Sequence, residues 1–313
     1  MNYKFDFVRR RNIFFAISGI ITILGIISLL VFGLNLGIDF KSGSRLDIHI
    51  GKSFSEADVN NLFLQAQDQA KAKGITNVNL KPSTVRTAGN NNEIAVARFG
   101  QTVPKDALPI IREVFQAKYG SSVDLQESTV DPTIGRELAR KAIYAVLWAS
   151  LGIILYVTLR FEYRFAIAAI VALLHDAFFV ITMFSFLRFE VDITFIAAIL
   201  TIVGYSVNDT IVIFDRIRDN MKKAKIKRIG DIEDIVNLSL NQTLSRSINT
   251  VLTVVIAALA LFIFGGTGIH NFALALLFGL FTGAYSSMFI ASQIWVVWKE
   301  FDLKKKNVKV QEA

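Results

Sequence analysis

Six long apolar runs divide the chain, and each has about the length of a membrane-spanning helix. A helix rises about 1.5 Å per residue, so roughly 20 apolar residues cross a hydrocarbon core of about 30 Å. The predicted spans are residues 13–36, 142–159, 165–187, 193–214, 248–264 and 272–298. The first run exceeds the apolar core of about 7–15 residues in a signal peptide, and no Ala-x-Ala-like site follows it. We therefore expect it to be an uncleaved anchor.

About a hundred residues lie between the first two runs, and their short strand-like and helix-like patterns are typical of a soluble α+β domain. The predicted elements are a strand at 43–51, a helix from Ser55 to Gly74, strands at 78–86 and 93–99 around a Gly/Asn turn at 89–92, a helix at 104–119 and a strand at 123–130. The order β-α-β-β-α-β is that of a ferredoxin-like domain. That fold by itself indicates no function, and we expect a packing or docking module.

The predicted domains are therefore the N-terminus with span one (1–36), an external domain (37–139), spans two to six (140–298) and a basic tail (299–313).

The composition excludes several classes of protein. Of 313 residues, 53% are hydrophobic and 19% are charged, which excludes a disordered chain. The absence of cysteine excludes a disulfide scaffold and thiolate-bound zinc or iron–sulfur sites. Three histidines far apart in sequence, His49, His175 and His270, argue against a histidine metal site. We expect no catalytic residue and no metal.

The net charge is +8, and the distribution of the basic residues along the chain indicates how the protein is oriented in the membrane. Basic residues lie on one side of the predicted spans: Lys4, Arg9, Arg10, Arg11, Arg160, Arg164, Arg216, Arg218, Lys222, Lys223, Lys225, Lys227, Arg228, Arg246, Lys299, Lys304, Lys305, Lys306 and Lys309. The positive-inside rule then places both termini in the cytoplasm of a multi-pass protein of the cytoplasmic membrane. Arg136, Arg140 and Lys141 run against this rule. Nucleic acid is accordingly not the expected partner.

The loop at 215–247 contains an apolar pattern of its own. Residues 229–244 carry apolar side chains at a helical spacing, which predicts an amphipathic helix lying on the membrane surface. Small residues, which allow helices to approach closely, recur within and beside the later spans. They are Gly204, Ser206, Gly265, Gly266, Gly268, Gly279, Gly283, Ala284, Ser286 and Ser287.

Ionisable residues inside the spans are the candidate functional groups, because burying a charge in a bilayer costs several kcal/mol. His175 and Asp176 fall near the middle of span three. Asp209, after Asn208, falls about 24 Å into span four, at a depth that matches Arg246 at the start of span five. A buried carboxyl group whose arginine partner approaches and withdraws could take up and release a proton.

Structural roles for the same residues stay open. Asp209 and Arg246 could form a fixed pair that staples spans four and five. His175 and Asp176 could be a buried hydrogen-bonded pair that holds span three to its neighbours. For Asp215 and Arg216 we expect a solvated helix end.

Five motifs resemble the SecD/SecF family of bacterial protein-export membrane proteins. The longest is residues 203–218, which read VGYSVNDTIVIFDRIR, and the second is residues 241–250, NQTLSRSINT. The others are Leu174-His175-Asp176, Gly37-Ile38-Asp39-Phe40 and the stretch at 132–138, PTIGREL. The resemblance covers nearly the whole chain. Two positions depart from it: Ser42-Gly43 stands where the family usually has two glycines, and Asp131 stands where it usually has glycine.

The resemblance implies six spans that form half of a bundle of the resistance–nodulation–division type, with SecD supplying the other half. It implies the SecYEG channel, SecA, YajC and YidC as partners and an unfolded preprotein as substrate, with the proton-motive force as energy source. No cofactor is implied beyond a coupling ion, either a proton or sodium. Carried over by motif, Asp209, Arg246 and Asn208 are the ion-coupling residues. The motif residues with structural roles are Gly37, Asp39, Phe40, Gly43, Pro132, Gly135, Gly204, Asp215 and Arg216.

Three other functions remain as alternatives. A solute or lipid exporter of the same superfamily generally has two large external loops per chain, whereas this chain has one. A passive membrane scaffold would carry no ion. An intramembrane aspartyl protease would use Asp176 and Asp209, but its Tyr-Asp and Gly-x-Gly-Asp motifs are not matched here.

Overall fold

The computed structural model describes residues 5–75, 78–89, 93–160, 162–224 and 228–311, with the backbone alone at 229 and 303–311. It divides into two compact units. The helical unit comprises residues up to 35, 145–190 and from 194 onwards, and the α/β unit comprises 36–144 with 191–193.

The elements follow one another in this order: α1 (Arg11–Phe32), β1 (Asn35–Leu36), α2 (Ile38–Lys41), β2 (Gly43–His49), α3 (Glu56–Ala72), β3 (Thr84–Ala88), β4 (Ile94–Phe99), a 3₁₀ turn (Lys105–Ala107), α4 (Leu108–Tyr119), β5 (Asp124–Val130), α5 (Pro132–Arg160), α6 (Tyr163–Phe186), β6 (Glu190–Val191), α7 (Ile193–Lys223), α8 (Ile229–Phe264), α9 (Thr267–Ser286), a π turn (Ser287–Ala291) and α10 (Ser292–Gln311).

Six helical segments of the described chain are long and apolar enough to cross a membrane, which confirms the predicted number of spans. They are α1, α5, α6, α7, α8 and the continuous segment Thr267–Asp302, which runs from α9 through the π turn into α10. One predicted end was wrong: the run at 13–36 extends past α1, which ends at Phe32, where Gly33 has a φ of 62°. Other helices extend beyond the predicted runs, as α5 does from Pro132.

The predicted surface helix at 229–244 is not a separate element. It is the first part of α8, a single helix of 36 residues that continues into span five. Its apolar side chains Ile232, Val236 and Leu240 are buried against Phe214 and Trp295 of neighbouring helices. The amphipathic pattern therefore matches a protein core, and not a membrane surface as predicted.

Hydrogen bonds attach the segment before α1 to this part of α8. Asn237 accepts the backbone N–H groups of Phe7 and Val8 at 2.8 and 3.1 Å and donates to Asp6 at 2.9 Å. Arg11 forms an ion pair with Glu300 of α10. The N-terminal end of the described helical unit is thus fixed to α8 and α10.

The α/β unit has one four-stranded antiparallel sheet in the order β3-β4-β2-β5. This is the strand order of a ferredoxin-like domain, with α3 and α4 as its two helices. The apolar residues of β2 that alternate, Leu46 and Ile48, are buried with Phe63 of α3 and Phe115 of α4. The predicted strand pattern and the predicted helices therefore share one core.

The predicted strand at 78–86 was wrong in its position. Strand β3 covers Thr84–Ala88 only, although Val78 and Leu80 are buried in the domain core. The N–H of Leu80 donates to Gln67 at 2.8 Å instead of to a strand. Most of the predicted Gly/Asn turn, residues 90–92, lies outside the described residues.

The Gly37-Ile38-Asp39-Phe40 motif provides the N-cap and the first three residues of α2. The N–H of Gly37 donates to the carbonyl of Val191 at 2.8 Å, and the Asp39 carboxylate accepts the N–H of Ile193 at 2.9 Å. Phe40 is a helical residue of α2. This motif therefore organises the backbone of the α/β unit.

The two departures from the family pattern have visible consequences. Ser42 has φ 61° and ψ 171°, a conformation that suits glycine and strains other residues. Asp131 caps α5 by accepting the N–H of Thr133 at 2.8 Å, directly before Pro132 at the first helical position. Gly135 packs close to α2, since an added Cβ would lie 3.4 Å from the carbonyl oxygen of Asp39.

Candidate functional site

A stripe of polar residues on α7 faces the interior of the helical unit. Ser206, Asp209 and Thr210 are spaced three and four residues apart, so they share one face of the helix. All three are buried, among apolar residues such as Ile202 and Ile213 of the same face. The sequence therefore builds a polar row into an otherwise apolar helix surface.

One carboxyl oxygen of Asp209 accepts a hydrogen bond, and the other has no hydrogen-bond partner. Its Oδ1 accepts a hydrogen bond of 2.6 Å from Ser247 of α8. Its Oδ2 is buried without a hydrogen-bond partner, although the residue is only 8% exposed. A buried carboxyl oxygen without a partner is costly unless it carries a proton or receives another donor.

Arg246 lies next to this contact but does not pair with Asp209. It directly precedes Ser247 on α8, and its side chain is exposed. Among the described ion pairs none joins Asp209 to Arg246, so the fixed staple between spans four and five is absent from this conformation. Helix length places Asp209 roughly 24 Å from the start of α7 and Arg246 roughly 27 Å from the end of α8, which agrees with the predicted similarity of depth.

Two predicted neighbours of Asp209 lie on a different face of α7. Asn208 is exposed, and Gly204 has open space where a Cβ would stand. Gly204 therefore brings no helix close among the described residues, and its predicted role in helix packing stays a prediction. Two other glycines do bring helices close: a Cβ at Gly279 would clash with Ile202, and one at Gly283 would lie 3.3 Å from Ser206.

Asp176 is the centre of a second, fully buried polar cluster. Its Oδ2 accepts hydrogen bonds of 2.6 Å from both Ser206 of α7 and Ser286 of α9. Its Oδ1 accepts one of 3.1 Å from Thr282 and lies 3.3 Å from Nδ1 of His175. The predicted hydrogen-bonded pair is therefore present, as part of a cluster that joins α6, α7 and α9.

Hydroxyl groups continue from this cluster towards Asp209. Ser287, at the start of the π turn, lies 2.8 Å from the hydroxyl of Thr210. It also contacts the carbonyl of Ser206 at 3.5 Å. The π turn offsets the side chains that follow Ser286, and such turns occur often at functional sites. This row of hydroxyls thus extends from Asp176 to Thr210, the residue that directly follows Asp209 on α7.

Sequence reasoning missed the hydroxyl donors of this row. Ser247, Thr282 and Thr210 were not singled out, and Ser286 and Ser287 were interpreted only as small packing residues. One signal was available for Ser247, because it immediately follows Arg246. The partners of Asp176 lie 30 and 110 positions away in sequence, so only the packing of the helices identifies them.

Asp215 and Arg216 belong to a separate network at the end of α7. Asp215 pairs with Arg218 at 2.8 Å and Arg160 at 3.3 Å, and Arg216 donates to Gln242 at 2.7 Å. All five residues are partly or fully accessible, as expected for a solvated helix end. Within the described ranges, no three His, Asp or Glu side chains are grouped as a metal site.

Comparison with known proteins identifies two matching family models. One, described as protein export membrane protein SecD/SecF, C-terminal, matches residues 110–301. The other, described as the SecD/SecF GG motif, matches residues 27–53. Together they cover the end of α1, the Gly37 motif and both candidate carboxyl groups.

Curated relatives extend the match to almost the full chain. The protein translocase subunit SecDF of Bacillus subtilis is 53% identical over 302 residues, which cover 96% of this chain and 39% of that protein. The protein translocase subunit SecF of Alicyclobacillus acidocaldarius is 45% identical over 306 residues, which cover 97% of this chain and 96% of the relative. The chain therefore spans well under half of a SecDF and nearly all of a SecF.

Solved structures give the same result at the level of the fold. The crystal structure of SecDF from Thermus thermophilus, a translocon-associated membrane protein, matches with a TM-score of 0.79 and 33% identity. That match covers 94% of this chain and 38% of the SecDF chain. SecDF in a super-membrane-facing form matches with a TM-score of 0.67 and 30% identity.

Proposed function

The chain belongs to the SecD/SecF family of protein export membrane proteins, and we propose that it is the SecF subunit of a protein translocase. In this proposal it pairs with SecD and uses the proton-motive force to promote late translocation of preproteins across the cytoplasmic membrane. Its wider partners are the SecYEG channel and SecA, with YajC and YidC. Both termini lie in the cytoplasm, and the unfolded preprotein meets the α/β unit on the opposite side.

The observation that carries the coupling role is the state of Asp209. It is a buried carboxyl group inside a predicted span with one unpartnered oxygen, and it has no ion pair with Arg246. Such a group can exist as a neutral acid here and become a carboxylate when a cation approaches. Proton uptake and release at Asp209 would then follow the movement of α7 relative to a basic group.

A polar face on α7 and α8 supports a SecD-like partner within the membrane. Asn208 of α7 and Arg246 and Asn249 of α8 are all exposed in the described structure. Exposing such groups to hydrocarbon is costly, so this face requires cover by protein or water. SecDF of Bacillus subtilis has room for a second half, because the matched residues make up only 39% of it.

The test of the proposed function is preprotein export into membrane vesicles that contain SecYEG, SecA, a SecD and this chain. We expect a proton gradient to accelerate export when SecD and the chain are both present and to have less effect when the chain is omitted. An equal response to the gradient with and without the chain would contradict the proposal and favour a passive scaffold.

Replacing Arg246 tests the predicted basic partner. Because Arg246 makes no ion pair in the described chain, Arg246→Ala should leave the fold intact while the gradient response in the vesicle assay is lost. Arg246→Lys, which keeps the charge, should retain part of it. Lys222→Ala is the matched control, since Lys222 is an exposed cation at the end of α7. A normal gradient response of Arg246→Ala would remove Arg246 from the coupling mechanism.

A further inference from the structure

We propose that Asp176 and His175 form a second proton-binding site, in which the proton is held by Oδ1 of Asp176 and passed to Nδ1 of His175. The inference rests on the proposed function, because it extends the proton chemistry of Asp209 to a second carboxyl group. Its basis is the geometry of the buried cluster that joins α6, α7 and α9.

Charge balance is the first argument. Asp176 is 0% exposed and lies in the middle of α6, 13 residues after Tyr163 and 10 before Phe186. A buried carboxylate in such a place is costly unless it is paired with a cation or neutralised by a proton. Within the described structure the only basic group paired with Asp176 is His175. The site is therefore neutral overall only when it holds one proton.

The groups that face Asp176 from the other helices are hydroxyls without charge. Helix α7 presents Ser206, and α9 presents Thr282 and Ser286. Tyr285 of α9 lies 6.2 Å from the His175 ring, and its own hydroxyl is used by Ser18 and the Phe14 carbonyl of α1. Asp209 is the other titratable group on this polar row. None of these groups supplies a permanent positive charge.

The two oxygens of Asp176 differ in their partners. Oδ2 holds two short hydroxyl bonds of 2.6 Å, whereas Oδ1 has longer contacts of 3.1 Å with Thr282 and 3.3 Å with His175. Short hydrogen bonds from hydroxyls satisfy Oδ2 as an acceptor. The less strongly bonded Oδ1, which faces a nitrogen base, is therefore the oxygen that carries the proton.

The transfer step is a proton exchange between these two atoms. The O–H bond at Oδ1 of Asp176 breaks and an N–H bond forms at Nδ1 of His175, which leaves a carboxylate beside an imidazolium. For release, the imidazolium loses a proton from Nε2 to a water molecule, which requires the surrounding helices to open and admit one. Nε2 is buried and has no hydrogen-bond partner in the described structure, so no neighbour fixes the ring in one tautomer.

This second site acts on the same helix as Asp209. Ser206, which donates to Asp176, precedes Asp209 by three residues and about 4.5 Å along α7. Ser286, the other short donor, is followed by Ser287, which contacts Thr210 beside Asp209. A change of charge at Asp176 alters how strongly it holds α7 and α9, and it therefore affects the helix that carries Asp209.

Infrared difference spectroscopy of the full chain with its SecD partner tests the proposal, because a protonated carboxyl group has its own C=O band. On a rise of pH, the native chain should lose carboxyl signal from Asp176 and from Asp209. Asp176→Asn should remove the first contribution and Asp209→Asn the second. His175→Gln, which keeps a polar side chain but cannot accept the proton as a base, should leave Asp176 protonated through the pH rise. The control is Asp219→Asn, which removes an exposed carboxylate of α7 and should leave the Asp176 and Asp209 signals unchanged.

The outcomes separate this inference from the proposed function. If Asp176→Asn leaves the carboxyl signal unchanged, Asp176 is a permanently ionised staple and the inference fails, whatever Asp209 does. If the native chain shows the Asp176 signal and lacks the Asp209 signal, the proposed coupling role of Asp209 fails while the proton site at Asp176 stands. If sodium at constant pH displaces the Asp176 signal in the native chain, the site binds a metal cation and the proton assignment is overturned. If Asp176→Asn does not fold, Ser286→Ala is the substitute test. It keeps the Asp176 carboxyl group but removes one of its short hydrogen bonds, so it should shift the C=O band of Asp176.

Discussion

Asp209→Asn should abolish the acceleration of preprotein export by a proton gradient, with little effect on assembly. An asparagine side chain has nearly the same shape, and its carbonyl oxygen can still accept the hydrogen bond that Ser247 donates at 2.6 Å. It cannot gain or lose a proton in the physiological range. The substitution therefore separates the proton chemistry of the group from its packing between α7 and α8.

The measurement compares vesicles that contain the native chain or Asp209→Asn, each with and without a proton gradient. We expect the variant with a gradient to export at the rate of the native chain without one. Asp219→Asn is the matched control, because it removes an exposed carboxylate from the same helix. Co-purification with SecD checks assembly. A full gradient response in Asp209→Asn would show that the coupling proton binds elsewhere, and Asp176 would become the first candidate.

The number of spans and the order of the elements in the α/β unit were predictable, because each depends on a pattern local in sequence. An apolar run of about 20 residues specifies a span wherever it packs. Leu46 and Ile48 alternate with polar neighbours, and this period is fixed by strand geometry. The caps are also local: Gly74 has a φ of 83° and Gly120 a φ of 104°, and both follow predicted helices closely.

The partner of an apolar face was not predictable. The stripe that contains Ile232, Val236 and Leu240 has the same spacing whether it lies on lipid or on protein. The structure buries it against Trp295 of α10 and Phe214 of α7, residues far away in sequence. The apolar pattern also did not show that Val78 and Leu80 lie outside a strand, because apolar residues of an irregular segment can be buried in a core as well.

The candidate site was predictable in its charges and not in its hydrogen bonds. A charged residue in an apolar run stands out from its neighbours, which identified Asp176, Asp209 and Arg246. A serine or threonine in the same run does not, since its hydroxyl often bonds to its own helix backbone. Only the crossing of α7 with α9 shows that Ser206 and Ser286 donate to Asp176.

The turn between α2 and β2 gives the largest expected effect on stability. Gly43 has a φ of 117°, and an added Cβ would lie 2.1 Å from the carbonyl oxygen of Phe99. Gly43→Ala thus combines a strained backbone with an overlap that only a shift of β4 could relieve. Each effect costs about 1–3 kcal/mol, so we expect a loss of about 2–6 kcal/mol from the α/β unit.

Hydrogen exchange of the full chain measures this loss where it arises, at the amides that pair β2 with β4. A loss of about 3 kcal/mol should speed exchange at Leu46 and Ile48 more than a hundredfold if those amides open with the domain. Ser42→Gly is the opposite variant at the neighbouring position. It releases a serine from φ 61°, which should slow the same exchange, with a gain of up to about 1 kcal/mol. Equal exchange in Gly43→Ala and the native chain would mean that β4 moves freely away from this turn, so that the second glycine of the motif would not be required for the fold.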